Sequence, residues 1–163
     1  DASALASAPA AAAVTSRQAE APVAEAEPPR ASFGPETADD VRGMKILVVE
    51  DSVLLAIELE SGLTEAGADV VGVAATLEEA QAMLTLTFDV AVLDANLNGE
   101  SVTPVAAVLA SRGVPFIFAT GYRDADITTE AFSAPVVRKP YNVHQIAAAL
   151  VQAVGDQKAA NAN

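Results

Sequence analysis

From Met44 onward the chain alternates short apolar runs with longer stretches in which apolar positions recur every three or four residues. The first run, residues 45–49, is rich in β-branched side chains and reads as a strand buried on both faces. Ser52 can then cap a helix running to about residue 66. Leu55, Leu59, Leu63 and Ala66 fall on one face of it, and Gly67 ends it. Residues 69–73 predict a second strand. Thr76 and Glu79 make a capping box for a helix facing inward through Leu77, Ala80, Gln81 and Leu84. A third strand, 89–93, delivers Asp94 into a loop of Ala95, Asn96, Leu97, Asn98 and Gly99.

The second half repeats the alternation. Thr103-Pro104 opens a helix to about residue 112, with proline at the first helical position and Val105, Val108 and Leu109 inside. Residues 115–119 form a fourth strand ending at Thr120 and Gly121. Residues 124–132 predict only a short helix, since Thr128 and Thr129 interrupt a thin apolar stripe. A brief fifth strand covers 134–137, and Lys139-Pro140 turns the chain. Asn142 caps a last helix whose inner face is Val143, Ile146, Ala147, Leu150, Val151 and Val154, with Gly155 as its stop and a polar tail over 156–163. Five strands alternating with five helices define an α/β domain over 44–155, a doubly wound five-stranded parallel sheet. No helix-turn-helix follows it, so a DNA-binding output is not expected from this chain.

Residues 1–43 differ in kind. They are mostly Ala, Pro, Ser and Glu, with prolines at 9, 22, 28, 29 and 35 and Phe33 as the one large aromatic. So few bulky side chains cannot offset the ordering of a backbone, and a disordered linker or tail is expected. The segment reads as an interior linker of a larger protein, with a natural tail as the alternative.

Composition narrows the chemistry. A net charge of −13 and a pI near 4.2 exclude a nucleic-acid or anionic-membrane surface by repulsion. With no cysteine and one histidine, neither a thiolate nor a multi-histidine metal site can form. No apolar stretch is long enough for a membrane span, and the Ala-rich start lacks the basic region of a signal peptide. A cytoplasmic location is the simplest expectation.

Glu50, Asp51, Asp94, Thr120 and Lys139 each lie just past a predicted strand end. A parallel sheet gathers such positions at its carboxyl edge, where ligands bind. Two like charges about 4 Å apart repel by roughly 4 kcal/mol at an effective dielectric near 20. One lysine cannot cancel three carboxylates, so either one acid is protonated or a hard cation sits among them. Oxygen donors without His or Cys suit Mg²⁺. Such a site serves phosphoryl transfer, with Asp94 as the attacking carboxylate. Each residue alone has a plainer explanation, as helix-end charge, loop cap, turn hydroxyl or surface lysine. Their shared placement favours the joint reading.

In these residues the chain resembles the receiver domain of two-component response regulators, over Met44 to about Gly155. The resemblance implies the flavodoxin-like strand order 2-1-3-4-5 and a phosphoryl group accepted on Asp94 from a histidine kinase. It also implies Mg²⁺ held by Asp51, Asp94 and the Asn96 carbonyl, with Glu50 acting directly or through water. Thr120 and Lys139 would bind phosphoryl oxygens, and Pro140 would set the Lys139 turn. Phe118-Ala119-Thr120-Gly121-Tyr122 resembles the FATGUY subgroup associated with HWE-type kinases, and Asn96 to Glu100 fits it too. Two departures stand out. Leu97-Asn98 replaces the usual methionine-proline pair, and Val136 stands where most receivers carry an aromatic switch. Coupling through Thr120 and Tyr122 to the weak fourth helix is the expected substitute.

The resemblance implies a kinase partner in cis or in trans, with a histidine phosphotransferase or a second receiver as further possibilities. The leading expectation is the C-terminal receiver of a hybrid kinase. A free single-domain phosphate shuttle and a phosphorylation-independent adaptor are the alternatives. A flavin- or nucleotide-binding protein is disfavoured because Glu50-Asp51 stands where a phosphate loop would be needed.

Overall fold

A computed structural model of the protein describes residues 41–121 and 131–162. In order it contains β1 (Lys45–Val49), α1 (Val53–Glu65), β2 (Asp69–Ala74), α2 (Leu77–Met83) and β3 (Val90–Asp94). There follow β4 (Asn96–Leu97), β5 (Glu100–Ser101), α3 (Thr103–Arg112), β6 (Phe116–Thr120), β7 (Val136–Arg138) and α4 (Val143–Asn161). Five strands form a parallel sheet in the order β2-β1-β3-β6-β7. Because β4 and β5 pair only with each other, this is the 2-1-3-4-5 order expected of the principal strands.

Alternation along the strands builds two cores. Ile46, Val48, Val90, Val92, Ile117 and Ala119 face α1 and α4, where they meet Leu59, Leu63, Ile146 and Leu150. Leu47, Val49, Ala91, Leu93, Phe116 and Phe118 face α2 and α3, where they meet Ala80, Leu84, Val105 and Leu109. Both faces being covered explains why β1, β3 and β6 read as unbroken apolar runs.

The predicted boundaries shift where local chemistry competes. β3 includes Asp94 and β6 includes Thr120, so both side chains belong to paired strand ends rather than to loops. Pro115, which has no N–H, only accepts at the strand entry, from Ala91. The fifth strand is Val136–Arg138 rather than 134–137. Ser52 caps α1 as expected, but Ala56 rather than Leu55 or Ala66 is buried beside Leu59 and Leu63. Gln81 is exposed, which leaves Ala80 and Leu84 as the buried contacts of α2. The last helix does not stop at Gly155. It continues to Asn161, because a single glycine costs only about 1 kcal/mol against alanine and the Gln-Lys-Ala-Ala run beyond it favours helix. Four helices are present among the described residues. Most of the fifth predicted one, residues 124–130, lies outside them, as does Tyr122.

Candidate functional site

Glu50 follows β1, Asp94 ends β3, Thr120 ends β6 and Lys139 follows β7, so four adjacent strands deliver them to one edge. The parallel register sets Asp94 opposite Ala119 and Thr120 opposite Arg138. Glu50 is 1% exposed, Asp94 3% and Thr120 0%, while Asp51 is half-buried. Three polar side chains this deep need partners or a ligand.

The Lys139 ammonium supplies part of that. Its Nζ lies 3.0 Å from Asp94 Oδ2 and 3.2 Å from Glu50 Oε2, bridging the two buried carboxylates. Backbone N–H groups supply more. Ser52 donates to Glu50 Oε1 at 3.0 Å, and Asn96 donates to Asp94 Oδ1 at 3.1 Å. The Lys139 N–H donates to the Thr120 carbonyl at 2.9 Å, which fixes the stem of the lysine beside β6. Burial pushes the Lys139 pKa down, but the Asp94 and Glu50 carboxylates outweigh it and hold the ammonium above its usual value. Burial first, and then Glu50, raises the Asp94 carboxyl to about 7.

The stretch after Asp94 is a hairpin rather than the plain loop expected from sequence. β4 and β5 pair across Asn98-Gly99, both at positive φ (53° and 92°), the combination that a tight two-residue turn requires. The Asn96 side chain accepts from the Gly99 N–H and holds the turn. Asn98 in turn donates its backbone N–H to Asp51 Oδ2 at 2.9 Å. A proline at this position would have no N–H to give and could not adopt that φ. The departure at Asn98 therefore has a physical role: the hairpin clamps Asp51 beside the other two acids. Burial pushes Asp51 up, but the Asn98 N–H and the neighbouring Glu50 and Asp94 carboxyls outweigh it, leaving its pKa below the usual value.

Carboxylate oxygens of Glu50, Asp51 and Asp94 all lie within 4.8 Å of one another. The donor set is all oxygen, and its charge exceeds what one ammonium can balance. Glu50 Oε2 is buried without a hydrogen bond. These features fit a hard divalent cation. Thr120 is at the same edge, but its hydroxyl is turned to the Gly121 carbonyl at 3.3 Å rather than to Asp94. Val136 is 42% exposed at the start of the edge strand. The nearby aromatic packing comes instead from Phe116, Phe118 and Phe132, with ring centroids 5.5–6.0 Å apart. Tyr141, not among the residues expected from sequence, has a buried hydroxyl under the influence of the Glu50 and Asp94 carboxylates. A polar aromatic two residues beyond Lys139 was the available signal.

No family model and no curated protein matches the chain. Solved structures do. The solution structure of SdrG from Sphingomonas melonis Fr1 is 38% identical at a TM-score of 0.61, over 69% of this chain and 96% of that one. The PhyR response regulator REC domain of Erythrobacter litoralis is 25% identical at a TM-score of 0.61, over 70% and 92%. The response regulator PhyR from Brucella abortus, 24% identical, shares the fold at a TM-score of 0.65, over 80% of this chain and 56% of that one. This chain thus spans little more than half of the Brucella protein's length. By fold, identity and coverage, the chain belongs to the response regulator receiver family.

Proposed function

We propose that this domain accepts a phosphoryl group on Asp94 from a histidine kinase and signals through the change that follows. The observation that carries the reading is a buried carboxylate held 3.0 Å from an ammonium and grouped with two further acids. In the transfer, an Asp94 oxygen attacks phosphorus in line, the bond from phosphorus to the donor histidine breaks, and the imidazole leaves with its electron pair. Lys139 turns its N–H donors to the phosphoryl oxygens. Thr120 can join it by rotating its hydroxyl away from the Gly121 carbonyl. Glu50, Asp51, Asp94 and the Asn96 carbonyl would hold Mg²⁺, which supplies positive charge to the oxygens of the transferring group.

The partner reading has support of its own. Val53, Leu54 and Ile57 are 71%, 66% and 55% exposed on the first turns of α1, directly after the acid pair. An aliphatic face beside the acceptor suits the helix of a histidine-bearing partner. The FATGUY-like run at 118–122 favours an HWE-type kinase. The Ala/Pro-rich residues 1–43 favour a tethered receiver in a hybrid kinase, where linkage raises the effective concentration of acceptor near the phosphohistidine. A free shuttle remains the alternative, and the coding sequence upstream of Asp1 decides between them. The function itself is tested by weighing the intact protein after incubation with acetyl phosphate and Mg²⁺. One phosphate adduct, absent from Asp94→Asn, is expected. No adduct with either acetyl phosphate or the cognate kinase would leave the adaptor reading.

A further inference from the structure

Two buried polar atoms at the site lack hydrogen bonds: Glu50 Oε2 and the Tyr141 hydroxyl. Such groups are uncommon in native interiors and call for a reason. Glu50 is the first charged group acting on that phenol. The phenol is pushed well above its usual pKa, by burial first and then by the Glu50 and Asp94 carboxylates. Tyr141 is also closely pinned. On one side the Lys139 N–H is bonded to Thr120 O, and on the other Asn142 and Gln145 close a reciprocal capping box at 2.9 Å. The ring itself packs against the core that contains Ile146 and Val48.

Lys139 now sits 3.2 Å from Glu50 Oε2 and 3.0 Å from Asp94 Oδ2, serving both acids. A cation held by Glu50 and Asp51 would repel the ammonium from Glu50 toward Asp94. Phosphoryl oxygens on Asp94 draw it further the same way. Glu50 Oε2, on the side away from the cation, would then lose the ammonium and stay buried without a hydrogen-bond donor. One donor stands in reserve beside it.

We propose that Tyr141 is a positioning residue whose hydroxyl donates to Glu50 Oε2 once Lys139 has turned away, keeping Glu50 aimed at the cation. The inference rests on the receiver reading and goes beyond it by assigning a hydroxyl that the phosphoryl chemistry does not otherwise use. It makes an asymmetric prediction. The hydroxyl makes no hydrogen bond within geometric limits in this structure, so deleting it should cost little stability without Mg²⁺; with Mg²⁺ bound it should matter.

The test is Tyr141→Phe in the full chain, with Mg²⁺ binding followed by amide NMR shifts and thermal unfolding measured in chelator. The expected result is Mg²⁺ affinity weakened about tenfold, the weight of one hydrogen bond to a charged group, with an unchanged or raised metal-free Tm. In a Glu50→Gln background the same substitution should weaken Mg²⁺ binding no further. Affinity within twofold of the unsubstituted protein would overturn the proposal. So would a lowered metal-free Tm, or effects that multiply across the two substitutions, since either marks the hydroxyl as merely structural. Failure of the unsubstituted chain to bind Mg²⁺ at all would instead end the receiver reading, and this proposal with it.

Discussion

Asp94 is a carboxylate held where its charge is penalised. Its carboxyl titrates near 7 in the folded chain because burial and Glu50 oppose ionisation, while the unfolded chain ionises near 3.8. Between those values the folded state binds a proton that the unfolded state does not. Metal-free stability is therefore fully present below the unfolded value and is lost as pH rises through about 7. The loss is on the order of 2–4 kcal/mol at this depth of burial. Asp94→Asn should remove the penalty, raising the metal-free Tm by roughly 5 °C or more at pH 8 but little at pH 5. Thermal unfolding in chelator at the two pH values checks it, and a uniform fall in Tm would contradict it. At this scale the acids, Thr120 and Lys139 were legible because each directly ends or follows an apolar run. Tyr141 was less so, since a polar aromatic two residues past Lys139 does not by itself show that its hydroxyl is buried under the influence of Glu50.

Among the elements, the β4–β5 hairpin is the one that the sequence reading missed. Two-residue strands carry no periodicity, although Asn98-Gly99 is itself a turn signal. Its consequence is the Asn98 N–H bond to Asp51. Asn98→Pro should break that bond and the positive φ together, costing on the order of 2 kcal/mol in stability and several-fold in Mg²⁺ affinity. Asn98→Gly keeps both the N–H and the φ, and should bind Mg²⁺ within about twofold of the unsubstituted chain. If both variants bound Mg²⁺ like the parent, the clamp would be without consequence. The strands themselves were legible for a different reason: sheets covered on both faces leave continuous apolar runs, whereas their order came only with the resemblance to receivers. Helix ends were less so. Gly155 reads as a stop, yet the helix passes through it because the residues beyond favour helix more than one glycine opposes it.

For the molecule as a whole, topology does the gathering. The order β2-β1-β3-β6-β7 puts Glu50, Asp94, Thr120 and Lys139 on adjacent strands although they span ninety positions of sequence from 50 to 139. The exposed aliphatic residues of α1 lie at the same edge, so recognition and chemistry can be separated by mutation. Leu54→Asp should cut phosphoryl transfer from the cognate kinase by at least tenfold, while labelling by acetyl phosphate stays within about twofold. Equal loss with both donors would point to damage at the site rather than at a docking face. Nothing in the strand and helix pattern alone revealed this face, because amphipathic reading assigns α1 by its buried side and is silent about large residues left outside.

The central claim is that Asp94, and no other acid, becomes covalently phosphorylated. The most direct measurement reduces the acetyl-phosphate-treated protein with borohydride, which converts an aspartyl phosphate to homoserine, and maps the product by peptide mass spectrometry. Homoserine at position 94 alone, dependent on Mg²⁺ and lost in Lys139→Ala, is the predicted result. Homoserine at Asp51 or elsewhere, or none at all under conditions that label an authentic receiver, would contradict the account.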